Sequence, residues 1–137
     1  MTPQAQAVAE TDLADIAAFF AKQKPKAEEA TNQEILAAGE KLFRKGKGRP
    51  NVVPGCIGCH GPDGIGNRDW NKLMVRVPAV LAPSLGGQHA SYLVKQLKAY
   101  KDGSRANDEA RVMRDIAARL DDNEIAAVAE YLSTRGH

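Results

Sequence analysis

Three observations predict an all-α chain with a single functional site. Wherever apolar residues recur they do so three and four positions apart, and no stretch shows the sustained apolar–polar alternation of a half-buried strand. The one long interruption, residues 47–87, holds five of the seven prolines, so something other than backbone ladders must hold it. A length of 137 residues suffices for one domain with a core, but not for separate cofactor and substrate lobes.

The elements follow in order. Leu13, Ile16, Ala17 and Phe20 mark a first amphipathic helix, ended by Lys24, Pro25 and Lys26, because proline cannot continue the helical ladder. Residues 26–31 read as a linker. Thr31 or Asn32 caps a second helix whose apolar face is Ile35, Leu36, Gly39, Leu42 and Phe43, before Gly46 and Gly48 stop it. A third helix spans about 91–101, with Tyr92, Leu93, Gln96, Leu97 and Tyr100 on helical spacings, and a fourth spans about 107–120. The last runs from Asp121 to about Thr134; Asp121 and Glu124 form a capping-box signature, and Ile125, Val128, Ala129 and Leu132 form the buried stripe.

Residues 1–25 echo residues 113–137 without a gap. Met1 falls on Met113, Leu13 on Ile125, Ile16 on Val128, Phe19 on Tyr131 and Phe20 on Leu132. Two Ala-rich amphipathic helices resemble each other by chance, but a tandem repeat accounts for the echo more fully. On that reading 1–25 is the helical tail of an upstream domain, 26–31 a linker and 32–137 the complete domain.

Composition excludes several function classes. An apolar fraction of 43% with 26% charged residues is that of a soluble globular chain. No apolar run reaches the roughly 18 residues of a membrane helix. A net charge of +2 is too small a bias to suggest nucleic acid. Cys56 and Cys59 are the two cysteines, so no disulfide framework is expected.

Cys56, Ile57, Gly58, Cys59 and His60 form a C-x-x-C-H run, the attachment signature of a c-type haem. Two thiols three positions apart can each add to one vinyl group of the same porphyrin, and the histidine that follows is then held beneath the iron as an axial ligand. A thioredoxin-like dithiol would need a preceding strand, which the sequence does not offer. A zinc site would need two further ligands at metal-binding spacing, and His89 and His137 are not so placed. A porphyrin would also give the irregular stretch its apolar packing surface, and it suits an aromatic content of only 5%.

Around this motif the chain resembles a class I cytochrome c, most of all the C-terminal haem domain of the bacterial dihaem cytochrome c4 group. The resemblance covers nearly all of 34–135: Gly39 and Phe43 in the helix before the motif, CIGCHGPDGIGN from Cys56, PSLGGQHASYLVKQLKAYKDGSR from Pro83, Met113, and LDDNEIAAVAEYL at the end. It implies a helical globule in which the first and last helices of the domain cross, with Gly39 letting Val128 or Tyr131 approach its backbone and Phe43 filling the adjoining space. It implies Met113 as the sixth iron ligand, a soft thioether that raises the reduction potential. Met1, Met74 and His89 are weaker alternatives. It implies the main-chain carbonyl of Pro83 as acceptor for the second ring nitrogen of His60. Arg105, Trp70, Tyr92 and Gln88 are the donors available to the haem propionates. One departure stands out: the stretch 67–82, with Trp70 and Met74, is longer than the loop usual in such domains.

Lys41, Arg44, Lys45, Lys47 and Arg49 fall within nine residues free of acids. Such a run is either a solvated helix face or a docking patch that speeds encounter with an acidic redox partner: another cytochrome, a sister haem domain or a terminal oxidase. The expected function is one-electron transfer by a six-coordinate iron, without enzymatic activity. Two alternatives stand beside it: a haem subunit of a larger dehydrogenase or reductase, and a ligand-binding or peroxidase-like haem domain with an open sixth position. Haem attachment of this kind takes place outside the cytoplasmic membrane in the bacteria the chain resembles, which implies the periplasm, although the N-terminus carries no signal peptide. The apolar stripe of the first helix predicts some self-association.

Overall fold

The computed structural model describes residues 4, 6–24, 26–66 and 82–136. Met1, Pro25, Trp70, Met74, His137 and all but the last residue of the 67–82 stretch lie outside them. The helices are α1 (Glu10–Ala21), α2 (Gln33–Lys45), the single turn α3 (Ile57–His60), α4 (Ala90–Asp102), α5 (Val112–Ala117) and α6 (Asp122–Ser133). Short 3-10 turns lie at Pro62–Gly64 and Glu109–Arg111. Among the described residues an isolated antiparallel bridge joins Lys47 and Val53; nothing in the periodicity signalled it.

Local chemistry explains most boundaries. The Asn32 side chain accepts from the Glu34 and Ile35 amides and starts α2, which ends where Gly46 turns to φ 68°. At α6 both halves of the capping box form, Asp121 accepting from the Glu124 amide and Glu124 from the Asp121 amide, each at 2.8 Å. The expected fourth helix is shorter and broken. Ala110 and Arg111 take positive φ, 50° and 61°, and regular helix begins only at Val112.

The most extensive helix contact is α2 against α6, followed by α4 against α6. Gly39 makes the first possible, with Tyr131 beside it as expected and the Ala127 backbone nearer still. A Cβ there would lie 2.6 Å from the carbonyl carbon of Ala127 and 2.9 Å from the Tyr131 Cβ, so the closest approach is to Ala127 rather than Val128. Phe43 is fully buried beside Tyr131, their ring centres 5.4 Å apart. The core is Leu42, Phe43, Val53, Leu93, Leu120, Ile125, Val128, Ala129, Tyr131 and Leu132.

α1 takes no part in it. Leu13, Ile16, Phe19 and Phe20 are all exposed, the two rings by 60% and 66%. Residues 26–31, expected as a bare linker, are strapped to the domain. The Glu28 amide donates to Ser133 O at 2.8 Å, its carboxylate accepts from His89 Nδ1 at 2.7 Å and from the Ala90 amide at 3.2 Å, and the Thr31 hydroxyl donates to Glu130 at 2.8 Å.

Candidate functional site

α3 puts the C-x-x-C-H run on one helical turn. The amides of Cys59 and His60 both donate to Cys56 O, at 3.1 and 2.9 Å, so the two sulfurs, three positions apart, share a face. Both thiols are free. Burial pushes the Cys56 thiol up to about 11 and raises that of Cys59. A redox-active dithiol needs the opposite shift, toward thiolate, so this environment does not fit the thioredoxin-like alternative.

His60 is only 7% exposed. Its Nδ1 lies 3.0 Å from Pro83 O, and since a carbonyl can only accept, Nδ1 carries the proton and Nε2 keeps its lone pair. Burial holds the imidazole below its ordinary pKa, against the Pro83 hydrogen bond, which favours protonation. A neutral ring with Nδ1 bonded and Nε2 free is the form that ligates a metal.

The Pro83 carbonyl reaches His60 because two loops are bonded side by side. Gly64 O accepts from the amides of Leu85 and Gly86 at 2.7 and 3.0 Å, and the Gly66 amide donates to His60 O at 2.8 Å. A Cβ on Gly64 would lie 2.8 Å from the Leu132 side chain and 3.0 Å from the Gly86 nitrogen, at φ +73°; only glycine fits there. Asp63, also at positive φ, anchors the first loop: its carboxylate accepts from Arg44 and from the Tyr131 hydroxyl, both at 3.2 Å.

These residues fit a haem. Ile57 from α3, Leu85 from the second loop, Val94 and Leu97 from α4 and Ile116 from α5 pack on the core yet remain only partly buried. Apolar surface of this kind, beside two free thiols and a ligation-ready imidazole, is what a porphyrin would cover. Met113 sits half-buried in the first turn of α5.

The expected propionate donors are not gathered into one cluster. Arg105 is held by Gln96 at 2.7 Å and Asn107 at 3.0 Å and lies 4.5 Å over the Tyr100 ring. Tyr92 is exposed on α4, the Gln88 side chain accepts from the His89 amide, and Trp70 is outside the described residues. The basic run is likewise reduced: Arg44 pairs with Glu40 and Asp63, and Lys47 with Glu124. Lys41, Lys45 and Arg49 have no ion-pair partner among the described residues. Sequence reasoning missed Glu28, Asp63 and Asp108; the partners of the first two are distant in the chain, and Asp108 pairs with Arg114 at a spacing no helical rule flags.

Comparison with known proteins bears on the family and the fold. A family model described as "Cytochrome c" matches residues 36–136. The chain is 41% identical over 133 residues to cytochrome c4 of Azotobacter vinelandii, covering 96% of this chain and 58% of that one. It is 32% identical over 137 residues to the thiosulfate dehydrogenase electron acceptor of Thiomonas intermedia, covering 98% and 58%. Among solved structures, reduced recombinant cytochrome c4 from Pseudomonas stutzeri superposes with a TM-score of 0.80 at 39% identity, covering 98% of this chain and 65% of that one. The chain thus spans less than two thirds of the length of these relatives.

Proposed function

The chain belongs to the cytochrome c family, whose cofactor is a covalently attached haem c, and on that premise we propose that it carries single electrons between redox proteins, with His60 and Met113 as axial ligands and Cys56 and Cys59 as attachment points. Haem iron would supply the one-electron couple, and the protein's part would be to hold it through His60 and Met113 so that no position is left for a substrate. The observation that carries the reading is the Nδ1 bond of His60 to Pro83 O at 3.0 Å, which fixes the ring and frees Nε2. Arg105, Tyr92, Gln88 and Trp70 are the propionate donors of this reading.

Residues 1–25 belong to the end of a preceding unit of the same kind, 26–31 join it to the haem domain, and 32–137 form that domain. The echo between 1–25 and 113–137 and the exposed stripe of α1 support this division. The same stripe supports self-association. Lys41, Lys45 and Arg49 form the docking patch for an acidic redox partner, with Arg44 and Lys47 tied into it by their own pairs. Among the described residues no helix is long and apolar enough to cross a membrane, and the periplasm is the compartment this reading implies. The relative named as an electron acceptor of thiosulfate dehydrogenase favours a second reading, in which the donor is a dehydrogenase.

An absorption spectrum of the holoprotein, oxidised and then reduced under carbon monoxide, tests the assignment. A weak far-red sulfur–iron band and indifference to carbon monoxide are expected. Ready carbon monoxide binding would overturn Met113 as a ligand and with it the carrier function.

A further inference from the structure

The segment that presents Met113 is held by a buried carboxylate. Asp108 lies at the start of the 3-10 turn, its side chain only 5% exposed. One oxygen, Oδ1, accepts from Arg114 Nε at 2.6 Å, and the other, Oδ2, accepts from the Arg114 main-chain amide at 3.0 Å. Arg114 directly follows Met113. Between Asp108 and Met113 the chain passes through Ala110 and Arg111, both left-handed, a conformation residues with a Cβ avoid unless the surroundings impose it. Left to itself this turn would relax toward ordinary helix or extended chain and carry Met113 with it.

We propose that Asp108 is a positioning residue for the axial thioether: by gripping the amide and guanidinium of Arg114 it keeps the two left-handed residues in place and sets the backbone from which Met113 reaches the iron. The inference rests on the assignment of Met113 as sixth ligand. Burial alone would raise the Asp108 pKa, but the two bonds from Arg114 outweigh it and leave the group below the ordinary aspartate range. The carboxylate is therefore ionised at neutral pH, and its bonds are of the strong, charge-assisted kind.

The readout is the ease with which an added ligand displaces Met113. Imidazole binds the ferric protein only when the thioether has left, so its apparent affinity scales with the population of the methionine-off state. Asp108→Ala removes both bonds and is expected to raise imidazole affinity about 10- to 100-fold, with weakening of the far-red band. Asp108→Asn and Arg114→Gln each remove part of the grip and fall between. Asp102→Asn, which disturbs only the Ser104 turn, and Thr31→Val, which removes the hydroxyl bond to Glu130 away from the haem site, leave imidazole affinity unchanged. If Asp108→Ala yields no holoprotein, Asp108→Asn and Arg114→Gln decide. Affinity within about two-fold of the unsubstituted protein in these variants overturns the proposal, as does an equal rise in Thr31→Val, which would mark a general loosening. An unsubstituted protein that lacks the far-red band and binds carbon monoxide instead refutes Met113 as ligand, a different failure.

Discussion

Replacing Gly39 by alanine sets two effects of opposite sign against each other. In an exposed helix the change is stabilising by about 1 kcal/mol, because alanine restricts the unfolded chain and favours helix. Here the new methyl would overlap the Ala127 carbonyl oxygen outright and lie 2.6 Å from its carbon and 2.9 Å from the Tyr131 Cβ, where carbon pairs prefer about 3.5–4.0 Å. The first of these atoms is backbone, so no rotamer change relieves it, and α2 and α6 must part by about 1 Å. A gap of that size forfeits about a quarter to a half of the dispersion energy of each contact it opens. The α2–α6 contact is the most extensive in the domain, which puts the overpacking cost at the upper end of its usual range, about 3 kcal/mol. Net of the propensity gain, Gly39→Ala is expected to destabilise by about 2 kcal/mol and to lower Tm by about 8 °C. Urea unfolding of the holoprotein followed by far-ultraviolet circular dichroism measures it, given equal m-values. A midpoint equal to or above that of the unsubstituted protein would refute the reasoning.

Other substitutions probe the site's supports. Tyr131→Phe removes the hydroxyl bond to Asp63 but leaves the Arg44 bond, for an expected loss of about 1 kcal/mol in the same urea assay. Pro83→Ala keeps the carbonyl that His60 needs, so the far-red band should persist, with a stability cost below about 1 kcal/mol from the freer unfolded chain; loss of the band would show that the ring and not the oxygen matters. The Glu28 carboxyl is held below its ordinary range first by its hydrogen bond from His89 and then by the Ala90 amide. A group with a lowered folded-state pKa stabilises above its unfolded value and loses that contribution as pH falls through the folded one. The strap over residues 26–31 should therefore persist through the ordinary carboxylate range and release only below it, seen as titration of the Ala90 amide resonance in the reduced protein. A midpoint at or above the ordinary glutamate value would contradict this.

What could be read in the sequence was what is local. The Asp121–Glu124 box acts within four residues and forms as expected, whereas the helical turn that carries Cys59 and His60 lies in a stretch whose prolines and glycines read as irregular. The fourth helix was misjudged because Ala110 and Arg111 are unremarkable residues for a helix; only the surrounding fold turns them left-handed. Gly39 announced a close crossing and Tyr131 meets it, but the nearest backbone depends on helix rotation, and a single step separates Val128 from Ala127. The Glu28 strap and the Asp63 anchor join residues 61 and 68 positions apart in the chain, and no pattern within one element reveals such pairs. The Pro83 acceptor came from resemblance alone.

The bonded loops on either side of residues 67–81 also bear on how this protein can vary. Gly66 and Ala82 stand close together, a Cβ on the first falling 3.1 Å from the carbonyl oxygen of the second, and the His60–Pro83 bond lies on the domain side of that junction. Whatever chain runs between them leaves and returns at nearly one point. Closing a loop twice as long costs only about 0.6 kcal/mol, and none of that cost is levied on the imidazole. This junction is accordingly a place where evolution, or an engineer grafting a peptide, can add length to the chain while the iron's proximal side stays as it was.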